Sequence, residues 1–133
     1  MSVSTDRLGG AGPKRRVLLA DDDPALRRLI HTTLGTTDFD LLQAQDGEEA
    51  LRIAREQHPE LILLDVNMPK LDGFTVCQQL KAAPETAAIK VVMLTARGAD
   101  ADRAKGRAAG ADDYFVKPFS PVQLLNKVYA LLE

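Results

Sequence analysis

A chain of 133 residues, 45% hydrophobic and 27% charged, has the size and balance of one globular domain with a real core. Its net charge of −2 argues against a basic nucleic-acid surface or a polybasic membrane anchor, and no apolar run approaches the roughly 20 residues of a bilayer span. The single cysteine, Cys77, cannot form an internal disulfide, which fits a reducing cytoplasm as the expected location.

Residues 1–14 are rich in Ser, Thr and Gly without periodicity and read as a flexible leader, with 15–133 as the domain. The first apolar run, Val17-Leu18-Leu19-Ala20, ends in Asp21-Asp22. Asp23-Pro24 then has the form of an N-cap followed by proline at the first helical position, and Leu26, Leu29, Ile30 and Leu34 continue at helical spacing to Gly35. A second strand near Asp40 to Ala44 leads to Asp46, the predicted cap of a helix that must stop before Pro59. The run Leu61-Ile62-Leu63-Leu64 ends in Asp65, and a turn from Asn67 to Gly73 follows. Asp72 caps the next helix, whose apolar face is Phe74, Val76, Cys77 and Leu80. Val91-Val92-Met93-Leu94 ends in Thr95 and precedes a helix from Ala99 to Ala109 that carries no large apolar side chain. Tyr114-Phe115-Val116 ends in Lys117-Pro118, a candidate cis peptide. Ser120-Pro121 opens the last helix, with Leu124, Leu125, Val128 and Leu131 as its core stripe and Val122, Asn126 and Tyr129 on a second, outward stripe.

Short continuous apolar runs alternating with helical patterns read as buried parallel strands. Strand and helix alternate throughout, which specifies an α/β domain: a flavodoxin-like (βα)5 fold whose parallel sheet has the order 2-1-3-4-5 and helices on both faces. Ligands of such sheets sit outside the carboxyl ends of the strands. The first and third strands are neighbours in this order, so Asp21 and Asp22 meet Asp65, with Thr95 and Lys117 on the same edge. Like charges packed together are costly without a cation. Mg²⁺, which takes hard oxygen ligands, removes that cost. Three carboxylates against Lys117 and one Mg²⁺ come to neutral. Asp65 is then the best nucleophile in the chain, because carboxylates attack phosphorus to give an aspartyl phosphate. Phosphoryl transfer asks for positioning and electrostatics, which Mg²⁺ and Lys117 supply while the Thr95 hydroxyl donates to a phosphoryl oxygen.

From Arg16 to Leu132 the chain resembles the receiver domain of bacterial two-component response regulators. The motifs are Asp21-Asp22 after a hydrophobic strand, Leu64-Asp65 with Asn67-Met68-Pro69 and Asp72-Gly73, Thr95-Ala96, Gly110-Ala111-Asp112-Asp113-Tyr114, and Lys117-Pro118-Phe119. The resemblance implies a phosphoacceptor signalling domain, not an enzyme acting on an outside substrate. Asp65 would take a phosphoryl group from a sensor histidine kinase or a histidine phosphotransfer protein. Asp21, Asp22, Asp65 and the backbone carbonyl of Asn67 would hold Mg²⁺, and Lys117 would contact the phosphoryl oxygens. Thr95 and Tyr114 would reorient, switching the surface of the fourth helix, fifth strand and fifth helix toward a protein target or a second copy. Neither nucleic acid nor membrane is an expected partner. An aspartate-nucleophile phosphatase of haloacid dehalogenase type fits less well. Its second aspartate shuttles a proton, and here Asp65-Val66-Asn67 offers an asparagine. Arg97, two residues beyond Thr95, is the expected shield of the phosphoryl group against water.

Overall fold

The computed structural model describes residues 15–34, 39–96, 100–117 and 120–132. The expected leader at 1–14, the helix end at Gly35, the start at Ala99, Arg97, and the Pro118-Phe119 side of the candidate cis peptide lie outside the described residues. Strands β1 (Arg15–Ala20), β2 (Phe39–Ala44), β3 (Leu61–Asp65), β4 (Lys90–Ala96) and β5 (Asp113–Lys117) alternate with helices α1 (Pro24–Leu34), α2 (Gly47–Gln57), α3 (Gly73–Ala82), α4 (Asp100–Ala109) and α5 (Pro121–Leu132). All strand pairings are parallel, in the order β2-β1-β3-β4-β5. The expected topology is the observed one. β1, β4 and β5 each begin before their apolar run, and β2 one residue before Asp40, because ladder pairing extends to Arg15↔Phe39, Leu61↔Lys90 and Val92↔Asp113 whatever the side chains' polarity.

Strand side chains alternate between two cores. Leu18, Ala20, Ile62, Leu64, Val91 and Met93 pack under α2, α3 and α4, against Ala50, Leu51, Ala54, Val76, Cys77, Leu80 and Ala109. Val17, Leu19, Leu61, Leu63, Val92 and Leu94 pack under α1 and α5, against Ile30, Leu34, Leu124 and Val128. Both faces of the central strands are thus dry, which is why they read as unbroken apolar runs.

The helix boundaries follow from capping chemistry. Asp23 Oδ1 accepts the Ala25 N–H at 3.0 Å, Asp46 Oδ1 the Glu49 N–H at 2.8 Å, and Asp72 Oδ1 the Thr75 N–H at 2.8 Å. At the far end of α2, His58 turns left-handed (φ 49°) and donates its N–H to the Ala54 carbonyl, so the helix closes one residue before Pro59. The outward stripe expected on α5 needs one correction. Tyr129 packs its ring on Phe39, with centroids 5.1 Å apart, and joins the core beneath α1 and α5. Phe39 comes from the distant edge strand, so helical spacing alone could not reveal this partner. Among the described residues no helix is long and apolar enough to cross a membrane.

Candidate functional site

The carboxyl ends of β1, β3, β4 and β5 bring the predicted residues together. Asp21 follows the last residue of β1, Asp65 ends β3 paired with Leu94, and Thr95 and Lys117 stand on the next rungs, where Thr95 pairs with Val116 and Ala96 with Lys117. Asp21 and Thr95 are almost fully buried and Asp65 is 6% exposed, whereas Asp22 is exposed. Carboxylate oxygens of Asp21, Asp22 and Asp65 lie within 4.8 Å of one another.

Asp21 is locked from every side. Its N–H donates to the Ala44 carbonyl (3.1 Å), its own carbonyl accepts from Arg27 Nη1 (2.6 Å), Oδ1 accepts the Asp23 N–H (2.9 Å), and Oδ2 accepts from Lys117 Nζ (2.8 Å). Lys117 Nζ also lies 3.4 Å from Asp65 Oδ1, which accepts the Asn67 N–H at 3.3 Å. No sequence motif points to Arg27. The available signal was its place in the first turn of α1, since helix side chains lean toward the N-terminus and a long cation there reaches back to the strand end.

The electrostatics are unbalanced. Burial, then the charge of Asp21, raise the Asp65 carboxyl above its ordinary pKa, and Lys117 with the Asn67 N–H only partly oppose them. Burial pulls the Lys117 ammonium down, but its hydrogen bond to Asp21 and the charges of Asp65 and Asp21 outweigh burial and hold it up. A normal ion pair would depress its acid. Asp65 stays raised because burial dominates, Asp21 adds to it, and the one ammonium that opposes them is shared with Asp21, to which it lies nearer. The donor set, oxygen-only with a surplus of negative charge, fits a divalent cation.

The loop after β3 is fixed by close backbone approaches. A Cβ on Gly73 would collide with the Asp65 carbonyl, and one on Gly47 with the Leu71 carbonyl. The bonds Gly73 N–H to Val66 O (3.1 Å) and Gly47 N–H to Pro69 O (3.3 Å) seat α3 and α2 directly on this loop. Asp46-Gly47 and Asp72-Gly73 therefore work as a cap followed by a contact glycine, a role that the dipeptides alone do not reveal. Lys70, at φ 72°, completes the turn and places its ammonium 3.7 Å from Asp46.

Tyr114 pairs with Met93 and packs into the core under α2, α3 and α4. Thr95, two residues past Met93, faces the same side of the sheet. The Tyr114 ring carries the Arg103 guanidinium at 4.4 Å, so the ring does lie beside the helix that follows Thr95. Cys77 is buried, and burial pushes its thiol up to about 11, which fits a small core residue and not a nucleophile.

Residues 17–129 match the family model described as response regulator receiver domain. The chain is 47% identical over 119 residues to the probable transcriptional regulator ycf27 of Cyanophora paradoxa, covering 90% of this chain and 48% of that protein. It spans about half the length of the curated relatives it matches. Among solved structures, a putative response regulator from Chloroflexus aurantiacus superposes with a TM-score of 0.86 at 32% identity, over 90% of this chain and 98% of that one. The receiver domain of sensor histidine kinase PA1611 from Pseudomonas aeruginosa, solved with a magnesium ion coordinated in its active site cleft, gives a TM-score of 0.83 at 28% identity, over 90% and 98% of the two chains.

Proposed function

The chain belongs to the response regulator receiver domain family, and from that premise we propose that it is a Mg²⁺-dependent phosphoacceptor whose Asp65 takes a phosphoryl group. A receiver domain is not itself an enzyme beyond this autophosphotransfer chemistry. The observation that carries the proposal is the cluster of three carboxylates at the sheet edge, two of them sharing one ammonium, with Asp65 raised in pKa by burial and by Asp21.

Asp21, Asp22, Asp65 and the backbone carbonyl of Asn67 would hold Mg²⁺, which when bound neutralises the cluster and polarises the incoming phosphoryl oxygens. Each residue then has a distinct part. Asp21, pinned by the Ala44 carbonyl, Arg27 and Lys117, is the rigid ligand, and exposed Asp22 faces the incoming cation. An Asp65 carboxylate oxygen attacks phosphorus, and the donor's leaving group departs with the bonding pair. Lys117 shifts part of its charge from Asp65 to the arriving oxygens, and the Thr95 hydroxyl donates to one of them. The magnesium ion in the active site cleft of the Pseudomonas receiver supports, by analogy, a magnesium-binding reading of this cluster.

The phosphodonor we propose is a sensor histidine kinase or a histidine phosphotransfer protein. The proposed output face is the surface of α4, β5 and α5, which includes Val122 at 64% exposure and serves a downstream protein or a second copy. The test is phosphoryl label from a small phosphodonor. Label should map to Asp65 and vanish in Asp65→Asn and after chelation of divalent cations. Label that persists in either case contradicts the proposal.

A further inference from the structure

α4 is held to the domain differently from its neighbours. α1 buries Ile30 and Leu34, α2 Leu51, α3 Val76 and Leu80, and α5 Leu124 and Val128. Within 101–109, α4 buries only Gly106 and Ala109. In place of apolar knobs it offers two cations to two rings. The Arg103 guanidinium carbon sits 4.4 Å from the Tyr114 ring centroid on β5, and Lys105 Nζ sits 5.7 Å from the Phe74 ring centroid on α3. The helix is bracketed by aromatic faces on both flanks.

We infer that Arg103 is a positioning residue, a cation–π latch that sets the resting orientation of the Tyr114 ring and, through it, the resting seat of α4. The inference rests on the phosphoacceptor reading, because the event that turns the ring is Asp65 phosphorylation. A cation–π contact needs the ring's face, so rotation of Tyr114 about its side-chain bonds takes that face away from Arg103. α4 then loses one of its two lateral anchors and has little buried area to replace it. Lys105 cannot play this part. Its ring, Phe74, is on a helix, whereas Tyr114 shares a sheet face with Thr95.

The chain has two tyrosines and no tryptophan, so Tyr129→Phe keeps a ring against Phe39 and leaves Tyr114 as the sole tyrosine emitter. In that background, at rest, Arg103→Met should speed amide exchange in α4 about two- to five-fold and shift Tyr114 emission, the size set by an exposed cation–π contact. Arg103→Lys should give intermediate values. Lys105→Met should speed exchange in α4 while leaving Tyr114 emission unchanged, with α2 exchange as the internal reference for intact folding. Adding Mg²⁺ and a fluoroberyllate phosphate mimic to the parent should move its Tyr114 emission toward that of Arg103→Met. The latch is overturned if Arg103→Met leaves resting Tyr114 emission and α4 exchange unchanged, or if Lys105→Met produces the same emission shift. Absence of phosphoryl label on the parent's Asp65 would overturn the phosphoacceptor reading instead, and the resting comparison would still decide whether the latch exists.

Discussion

The two ends of the sheet each carry a lysine–aspartate pair of nearly the same length, and only one is left with surplus charge. At the amino end of β4, Lys81 Nζ donates to the Ala87 and Ile89 carbonyls and to Asp112 Oδ2 (2.9 Å), and the same oxygen accepts the Val91 N–H. One ammonium has three acceptors, and one carboxylate faces one cation. Nothing is left over, so the pair is a closed structural joint between α3, β4 and the turn before β5. At the carboxyl end, Lys117 serves Asp21 and Asp65 with Asp22 close by. Charge there is in surplus and one carboxyl holds its proton too tightly. What separates a joint from a site is this residue of uncompensated charge, since pair distance is 2.9 Å in one and 2.8 Å in the other.

Substitutions can break or sharpen the contrast. The largest effect should come from Lys117→Met, which strands two buried carboxylates and should cost about 3 kcal/mol in metal-free neutral buffer. Mg²⁺ should return a large part of that loss, because a cation restores the balance, as denaturant unfolding with and without the metal would show. Lys81→Met should cost about 2 kcal/mol by orphaning two carbonyls and Asp112, and Mg²⁺ should return none of it.

Asp65→Asn should do the opposite and stabilise the metal-free protein at neutral pH, by about 1 kcal/mol. The pH dependence carries a definite sign. Asp65 binds its proton more tightly folded than unfolded, so between its ordinary 3.8 and its raised folded value the native state holds the extra proton and stability falls as pH rises. The penalty is complete above the folded pKa and absent below 3.8, so the advantage of Asp65→Asn should vanish on acidification through that window. Lys117 gives the mirror case. Its contribution is whole below 10.5 and is lost as pH rises through its raised value, a step missing from Lys117→Met. The smallest effect concerns the helices themselves: amides of α4 should exchange faster than those of α2, which buries Leu51 and three smaller residues. Equal protection would contradict the account of α4.

The strand order and the candidate site are legible in the sequence for one physical reason. Strands dry on both faces print as apolar runs, and the first polar residue after each run marks the ligand edge. Asp21, Asp65, Thr95 and Lys117 were legible this way, as were the caps Asp23, Asp46 and Asp72. Arg27 stayed hidden because it acts through Asp21's backbone carbonyl, which carries no sequence signature. The collisions that require Gly47 and Gly73 involve backbone of the loop after β3 and of the end of β3 itself, and appear only once that loop is folded. Tyr129 falls on the outward stripe by spacing alone but packs on Phe39, because helical periodicity gives a face but not the neighbour across it.

Asp22 offers the most direct test, since it belongs to the carboxylate cluster yet is exposed, so Asp22→Asn can alter the charge surplus without disturbing the core. Calorimetric titration with Mg²⁺ should show a single binding event in the parent and one at least about ten-fold weaker in Asp22→Asn, with the metal-free unfolding curve unchanged. Equal Mg²⁺ affinity in the two proteins, or no binding by the parent, would contradict the claim that the surplus charge at this sheet edge is a cation site.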